Sequence, residues 1–415
     1  MNISGLFSQI FSNILQFQGT VGDPVIRPPR DMIETDSFLI DIDRDPDLLG
    51  YGVPGLRLRG DQAHAQRISD LRRALFARLT LQTAASPEFI SGLTNEEFNI
   101  LRDHIRFDHT SELARIVTSN PQYVRRLSPE QFNADRELAR IIGIQNDPRG
   151  PGDTEPEFAI GLVGNPEYVR RLSEAQFNED RQLVRSYMRS FFARSFVGCP
   201  AYVRRLTPGQ FRDDRNWAME NSDMAGNNFV LSLTSNPAYM RRPEYTRREE
   251  FQRNSPFEAD RALARAVALN GAFPESDFTL GLTNNENYVD MLTQEQFNRD
   301  RDLSRRKDQI DHNFTEGFIS NKRYVSRLSL VQLQDDKALA MRHPNSDFAI
   351  FLYVNLREIC ESDKNFAREN PHTELAGGIA GREDFEITDR DRAIMQRYPA
   401  SFFAMAIARR LEGSG

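Results

Sequence analysis

The chain of 415 residues holds only two cysteines, Cys199 and Cys360, and one tryptophan. Two thiols exclude a disulfide framework and any multi-cysteine zinc or iron–sulfur centre. Basic charge is not in excess: 53 Lys and Arg stand against 60 Asp and Glu, a net of −7. That balance argues against a general polyanion binder and against nucleic acid as the partner. The apolar runs fall well short of the roughly 18 residues that a membrane-crossing helix needs. Neither a GxxxxGK[ST] phosphate loop nor a GxSxG nucleophile elbow occurs, so the chemistry attached to those motifs is not indicated. The strand period of two is absent from the middle of the chain.

In its place a phrase keeps returning. It reads NPQYVRRLSPEQFNADRELAR from Asn120, NPEYVRRLSEAQFNEDRQLVR from Asn165 and CPAYVRRLTPGQFRDDRNWAM from Cys199. Weaker copies begin at Asn236, Asn285 and Asn321, and a degenerate first one at Ser86. The anchors Tyr123, Tyr168, Tyr202, Tyr239, Tyr288 and Tyr324 lie 45, 34, 37, 49 and 36 residues apart. The long intervals carry the insertions NDPRGPGDTEP, after Gln145, and PEYTRREEFQRN, after Arg242. A unit of 34–37 residues with loop insertions predicts an all-α, elongated solenoid of short helices.

Each copy carries its own punctuation. Asn120-Pro121 starts a helix, because Asn caps it and Pro at the first helical position has no N–H to waste. Ser128…Gln131 is a capping box, repeated at Ser173…Gln176, Thr207…Gln210, Thr293…Gln296 and Ser329…Gln332. The apolar spacing assigns the core to Tyr123, Leu127, Phe132 and Leu138, and likewise to Tyr168, Leu172, Phe177 and Leu183. Tyr202, Leu206 and Phe211 follow, then Tyr288, Leu292 and Phe297, and Tyr324 with Leu328. A third helix, FAIGLVG from Phe158 or FTLGLTN from Phe278, closes the unit.

Asp135, Asp180, Asp214, Asp260 and Asp300 each precede an arginine, and Asp336 precedes Lys337. An enzyme uses such a pair once; a pair in every copy reads as a structural polar network. The doublets Arg125-Arg126, Arg170-Arg171, Arg204-Arg205 and Arg241-Arg242 are candidates for an interaction stripe along one edge. The sequence implies no catalytic residue, metal ligand or cofactor.

The expected organisation is an amphipathic helix at 1–20, an extended Pro, Gly and Asp-rich arm at 21–60, a capping helix at 61–85, the array at 86–355 and a C-terminal helical cap at 356–415. The partner expected is a protein, or further copies of the chain engaged through residues 1–60. The location expected is cytosolic-type, a host cell after delivery, or a particle. The Asp-Arg-x-Leu element after a Ser/Thr-x-x-Gln start, as in Ser128–Leu138, resembles a short-helix repeat family of unknown function. That resemblance implies a helical array and no activity. The charge-free, Ser, Asn and Gln-rich first twenty residues are similar to export signals of injected bacterial effectors. A different class, an enzyme, would have to place its site where the pattern breaks, at 243–257 or among Glu361, Asp363, His372, Glu374 and Glu383 of 356–400.

Overall fold

The computed structural model describes residues 59–145, 155–246, 255–270, 276–306 and 312–412. Among them are 27 helices and no strand, so the protein is all-α. The amphipathic stripe of residues 1–20 and almost all of the 21–60 arm lie outside the described residues. Contacts divide the chain into two compact units: Met1–Leu79 with Gly150–Gly152, and Thr80–Arg149 with Asp153–Gly415. In the first, the described part is the helix Arg59–Arg78, which includes the last two residues assigned to the arm. The capping helix expected over 61–85 is therefore two helices, because Thr80 caps a new one, Leu81–Ala85, through its bond from the Thr83 amide.

The second unit repeats a local arrangement of three helices. One is apolar and short, one carries the tyrosine, and one is opened by the capping box. For the copy at Asn165 these are Glu157–Gly164, Pro166–Arg171 and Glu174–Ser186. Ser173 accepts the Gln176 amide while the Gln176 side chain accepts the Ser173 amide, which satisfies two donors that a helix start otherwise leaves orphaned. The same reciprocal pair opens Pro208–Glu220, Gln294–Ser304 and Leu330–Arg342.

The apolar helices pack on one another in chain order: Leu81–Ala85, Glu112–Ser119, Glu157–Gly164, Phe191–Gly198, Asn228–Ser235, Asp277–Asn284, His312–Ser320, Asp347–Asn355, Glu374–Ala380 and Phe402–Glu412. Three of these helices meet the preceding one closely enough to require glycine. A Cβ at Gly161 would collide with Thr118 Oγ1 and the Arg115 carbonyl, one at Gly281 with Thr234 Oγ1 and the Leu231 carbonyl, and one at Gly317 with Thr283 Oγ1 and the Leu280 carbonyl. The threonines fit the other side of this approach because their hydroxyls turn back onto their own helix, Thr234 to the Val230 carbonyl and Thr283 to the Thr279 carbonyl.

The core is drawn from all three helices. Tyr123, Tyr168, Tyr202, Tyr239, Tyr288 and Tyr324 are fully buried, and so are Phe177 and Phe297; Phe132, Phe211, Leu127, Leu172, Leu206 and Leu292 are buried almost as deeply. Leu138, Leu183 and Leu328 differ, being only half-buried. On a helix turning about 100° per residue, Phe132, Asp135 and Ala139 share one face and Leu138 falls some 100° off it. Ala139 and Val184 are the fully buried residues instead. Leu328 has less cover because, among the described residues, no arginine of the following copy reaches its carbonyl as Arg327 reaches that of Leu292.

Candidate functional site

The recurring polar residues meet at the joints between successive copies. Asp180 is fully buried. Its carboxylate accepts Tyr168 Oη at 2.8 Å from its own copy. From the preceding copy it accepts Arg136 Nη2 at 2.7 Å and Nε at 3.2 Å, with Arg140 Nε 3.5 Å away. The arginine of an Asp-Arg pair thus serves the next copy's aspartate, and Arg102, which follows Leu101, does the same from the first copy. Arg102 reaches Asp135, Arg181 reaches Asp214, Arg215 reaches Asp260, Arg261 reaches Asp300 and Arg301 reaches Asp336. All of these carboxylates are fully buried, and each also receives its tyrosine hydroxyl.

One joint departs in an instructive way. Every other aspartate of the six has a second arginine four residues beyond the first; at that position the Asp260 joint has Met219. There the inserted Tyr245 supplies the missing donor, so Asp260 takes two phenol hydroxyls and one guanidinium. A buried carboxylate needs its lone pairs filled whatever the source of the donor.

The remaining repeated groups complete the joint. Asn165 caps Pro166–Arg171 with its oxygen while its amide donates to the carbonyls of Thr118 and Asn120, at 2.9 and 3.1 Å. Only a side chain with both an acceptor and donors does both, which explains Asn at this place. Asn236, Asn285, Asn321 and Asn355 make the corresponding backward bonds. Cys199, the exception, is buried and makes no side-chain cap. Phenylalanine rings carry the apolar contact: Phe132 lies 5.5 Å from Tyr168, Phe177 5.6 Å from Tyr202 and Phe297 5.7 Å from Tyr324.

The arginine doublets correct the expected stripe. Arg126, Arg171, Arg205 and Arg242 are turned inward. Each donates to two backbone carbonyls of the preceding copy, Arg171 to Val124 and Leu127 at 2.6 and 2.7 Å. Each also stacks over that copy's phenylalanine, at 4.7–4.9 Å. Of the outer members, Arg125 and Arg170 share Glu167, and Arg241 pairs with Glu286; Arg204 is exposed. Adjacent helical residues diverge by about 100°, so one of each doublet was bound to turn toward a neighbour. Its neighbour is the preceding copy's backbone, and acid neutralises most of what remains outside.

The joints continue past residue 355, where the array was expected to end. Tyr353 Oη donates to Asp363 at 2.8 Å, and Lys337 Nζ lies 2.5 Å from the same carboxylate. Arg368 bonds Asp391 at 2.8 Å. In these two copies one aspartate does two tasks, because Asp363 and Asp391 also accept the amides of Cys360 and Thr388 as the third residue of the capping box. Burial pushes both carboxyls up, but the bonds they accept outweigh it and hold them below the usual aspartate value. At Asp180 and Asp260 burial wins and the carboxyl is raised. The tyrosines are raised far above their ordinary value by burial beside these carboxylates, so each phenol stays a proton donor.

Such a cluster of Tyr, Asp and Arg resembles acid–base machinery in composition only. Its carboxylates are sealed from solvent, and each is filled by groups of two copies. The residues assigned to an enzymatic alternative are not drawn together around a ligand cleft. Asp363 is in a joint, Glu361 bonds Arg368 at 2.9 Å, His372 packs its ring 5.2 Å from Tyr398, and Glu383 is exposed. Two open clefts occur elsewhere. One of about 390 Å³ is lined by Arg305, Arg342, His343 and Asp347, and one of about 270 Å³ by Arg125, Glu167 and Arg171. Among the described residues no three His, Cys, Asp or Glu side chains converge as a metal requires, and no helix is long and apolar enough to cross a membrane.

His312, beside the larger cleft, ties two apolar helices at their starts. Its Nδ1 is 2.8 Å from Asp347 and its Nε2 3.2 Å from Glu316. The bond to Asp347, then that to Glu316, raises its pKa to about 10. Since the folded value lies above the unfolded one, its stabilisation is complete below about pH 6.5, shrinks above that and is gone beyond about 10. Ring-proton NMR should find His312 still protonated at pH 8, and Asp347→Asn should bring its titration down. Titration near the ordinary histidine value in the native chain would contradict these contacts.

Comparison with known proteins finds no matching family model, no matching curated protein and no matching solved structure.

Proposed function

We propose that the chain is a non-enzymatic helical-repeat scaffold, an elongated solenoid of 34–37-residue units, that binds protein partners or copies of itself. The observation that carries this reading is the use of the repeated polar residues. The Tyr–Asp–Arg cluster, the asparagines and the inner arginines bond from one copy to the next, and the cluster does so in successive joints from Asp135 to Asp336. A reaction centre needs one accessible copy of its groups, whereas a stack of modules needs one buried set at each interface. Recognition then falls to the outer side chains of the units and to the segment 1–60. The acidic balance and the ion-paired outer arginines favour protein over nucleic acid as the thing recognised.

Light scattering on the full chain over a range of concentrations tests this, alone and with single-stranded RNA. Mass rising above that of one chain, with no RNA carried, is the expected result. A strict monomer would remove binding between copies, and stoichiometric RNA uptake would overturn the preference for protein.

A further inference from the structure

The short helices that carry the tyrosines cover one another in chain order: Pro121–Arg126, Pro166–Arg171 and Pro200–Arg205 pack in sequence. The inner arginine of each ties it to the copy before. Arg171 donates to the carbonyls of Val124 and Leu127, Arg205 to those of Val169 and Leu172, and Arg327 to those of Val289 and Leu292. Under this cover those valines are fully buried and those leucines at most 4% exposed. In the copy at Asn285, Met291 holds the arginine's place, but the helix Tyr288–Met291 is present.

The helix Tyr324–Arg327 has no such cover. After Leu330–Arg342 and Asp347–Asn355 the chain runs from Leu356 to Ile359 without a helix and enters Glu361–Glu369. The tyrosine of that copy, Tyr353, comes from the apolar helix itself, so the short helix that should follow is missing. Among the described residues no group donates to the Leu328 carbonyl, and Val325 and Leu328 are only half-buried. One copy later the rule returns, with Arg382 donating to the Tyr353 carbonyl at 2.6 Å.

The side chains beside this place differ from those of the other copies in the same sense. The first residue of a capping-box helix stands next to the following copy's inner arginine: Asn95 accepts Arg126 at 3.2 Å, and Glu174 lies 3.8 Å from Arg205. The boxes of Thr94, Ser128, Ser173, Thr207 and Thr293 have no large apolar residue at their first two positions. The box of Ser329 has Leu330 and Val331 there, 79% and 74% exposed. Leu333 holds the phenylalanine's place and is half-buried. An apolar surface next to an unused carbonyl marks a contact site rather than scattered exposure.

We propose that this face of Tyr324–Arg327 and Leu330–Arg342 docks a segment of a partner protein that stands where the missing short helix would. The occupant is a turn or two of helix, apolar toward Val325, Leu328, Leu330 and Val331, with an arginine that donates to the Leu328 carbonyl. Its chemistry is set by what fills the same place at the other joints, and the mode is a helix laid into an apolar groove. The chain's own next copy passes the place without supplying such a helix. Arg126, Arg171, Arg205, Arg242 and Arg327 are already bonded to the copies before them, so a second copy of the chain has no free helix of this kind to offer. The proposal rests on the reading of the chain as a scaffold, and it names one surface and the kind of partner that surface fits.

Methyl NMR of the full-length chain, titrated with the synthetic peptide NPEYVRRL of residues 165–172, tests it. The methyl signals of Val325, Leu328, Leu330 and Val331 should shift saturably. Arg171→Ala in the peptide should weaken binding at least about tenfold by removing the donor to the carbonyl. Leu330→Lys with Val331→Lys in the chain should weaken it as much, since apolar contact is lost and like charge is set beside the arginine. Both side chains are exposed, so this variant should fold as the native chain does. No saturable shift, or binding indifferent to the arginine, would overturn the proposal. Shifts of the same methyls on raising the chain concentration without peptide would give the face to a second copy and overturn it too. Hydrogen exchange around Asp180 on the same samples separates the two readings: joints that stay protected while the peptide fails to bind would leave the scaffold intact and remove only the docking site.

Discussion

Asp180→Ala should destabilise the protein by about 3–5 kcal/mol, the cost of breaking a buried ion pair by deleting one partner. The change strips the acceptor from Arg136, whose guanidinium is held above its usual range chiefly against burial by that carboxylate, and from the buried Tyr168 hydroxyl. What remains is a positive charge at a sealed joint with only the Gln176 carbonyl and the exposed Glu179 to meet it. Asp180→Asn keeps the shape and part of the bonding, so it should cost less, about 1–3 kcal/mol. Denaturant unfolding measures both. Equal and small losses would mean that the carboxylate charge contributes nothing to the joint.

Phe177→Ala should cost a similar amount, about 3–5 kcal/mol, by opening a cavity where the surroundings are least able to close. The Phe177 ring is fully buried, lies 5.9 Å from Phe196 and 5.6 Å from Tyr202, and carries the Arg205 guanidinium 4.7 Å above it. Arg205 in turn holds two carbonyls of the preceding copy, so removing the ring loosens that tie as well. Faster hydrogen exchange should appear first between residues 158 and 206 and spread from there, as expected where modules couple chiefly to their neighbours. Unchanged protection across that stretch would sink the assignment of the ring to the core.

Helices, caps and most of the core were legible in the sequence because they obey local rules. Asn-Pro and Ser-x-x-Gln are bonded within three residues of themselves, and the tyrosine spacing counts the copies. The partners of the charged residues were not legible. Arg136 and Asp180 are 44 residues apart and Arg171 and Val124 are 47 apart, and no periodicity states which copy an arginine serves. For that reason the inner arginines read as a surface stripe. Leu138 and Leu183 read as core for a different reason: the buried face of their helix is completed by an aspartate, which an apolar pattern skips over. The copies around Asp363 and Asp391 do not show in the sequence pattern because the box and the buried carboxylate merge there, four residues earlier than elsewhere, and the tyrosine spacing is lost. The signal that could have found them is Thr388-Asp389-Arg390-Asp391-Arg392, a cap followed by the Asp-Arg pair.

The most direct measurement is a double-mutant cycle across one joint, with Arg136→Ala, Asp180→Ala and the two together, each unfolded in denaturant. If the pair binds copy to copy, the double variant should be destabilised by about 2–3 kcal/mol less than the sum of the single ones, because the second deletion removes a group already left without its partner. Single losses that add to within about 0.5 kcal/mol would contradict a joint built on this pair.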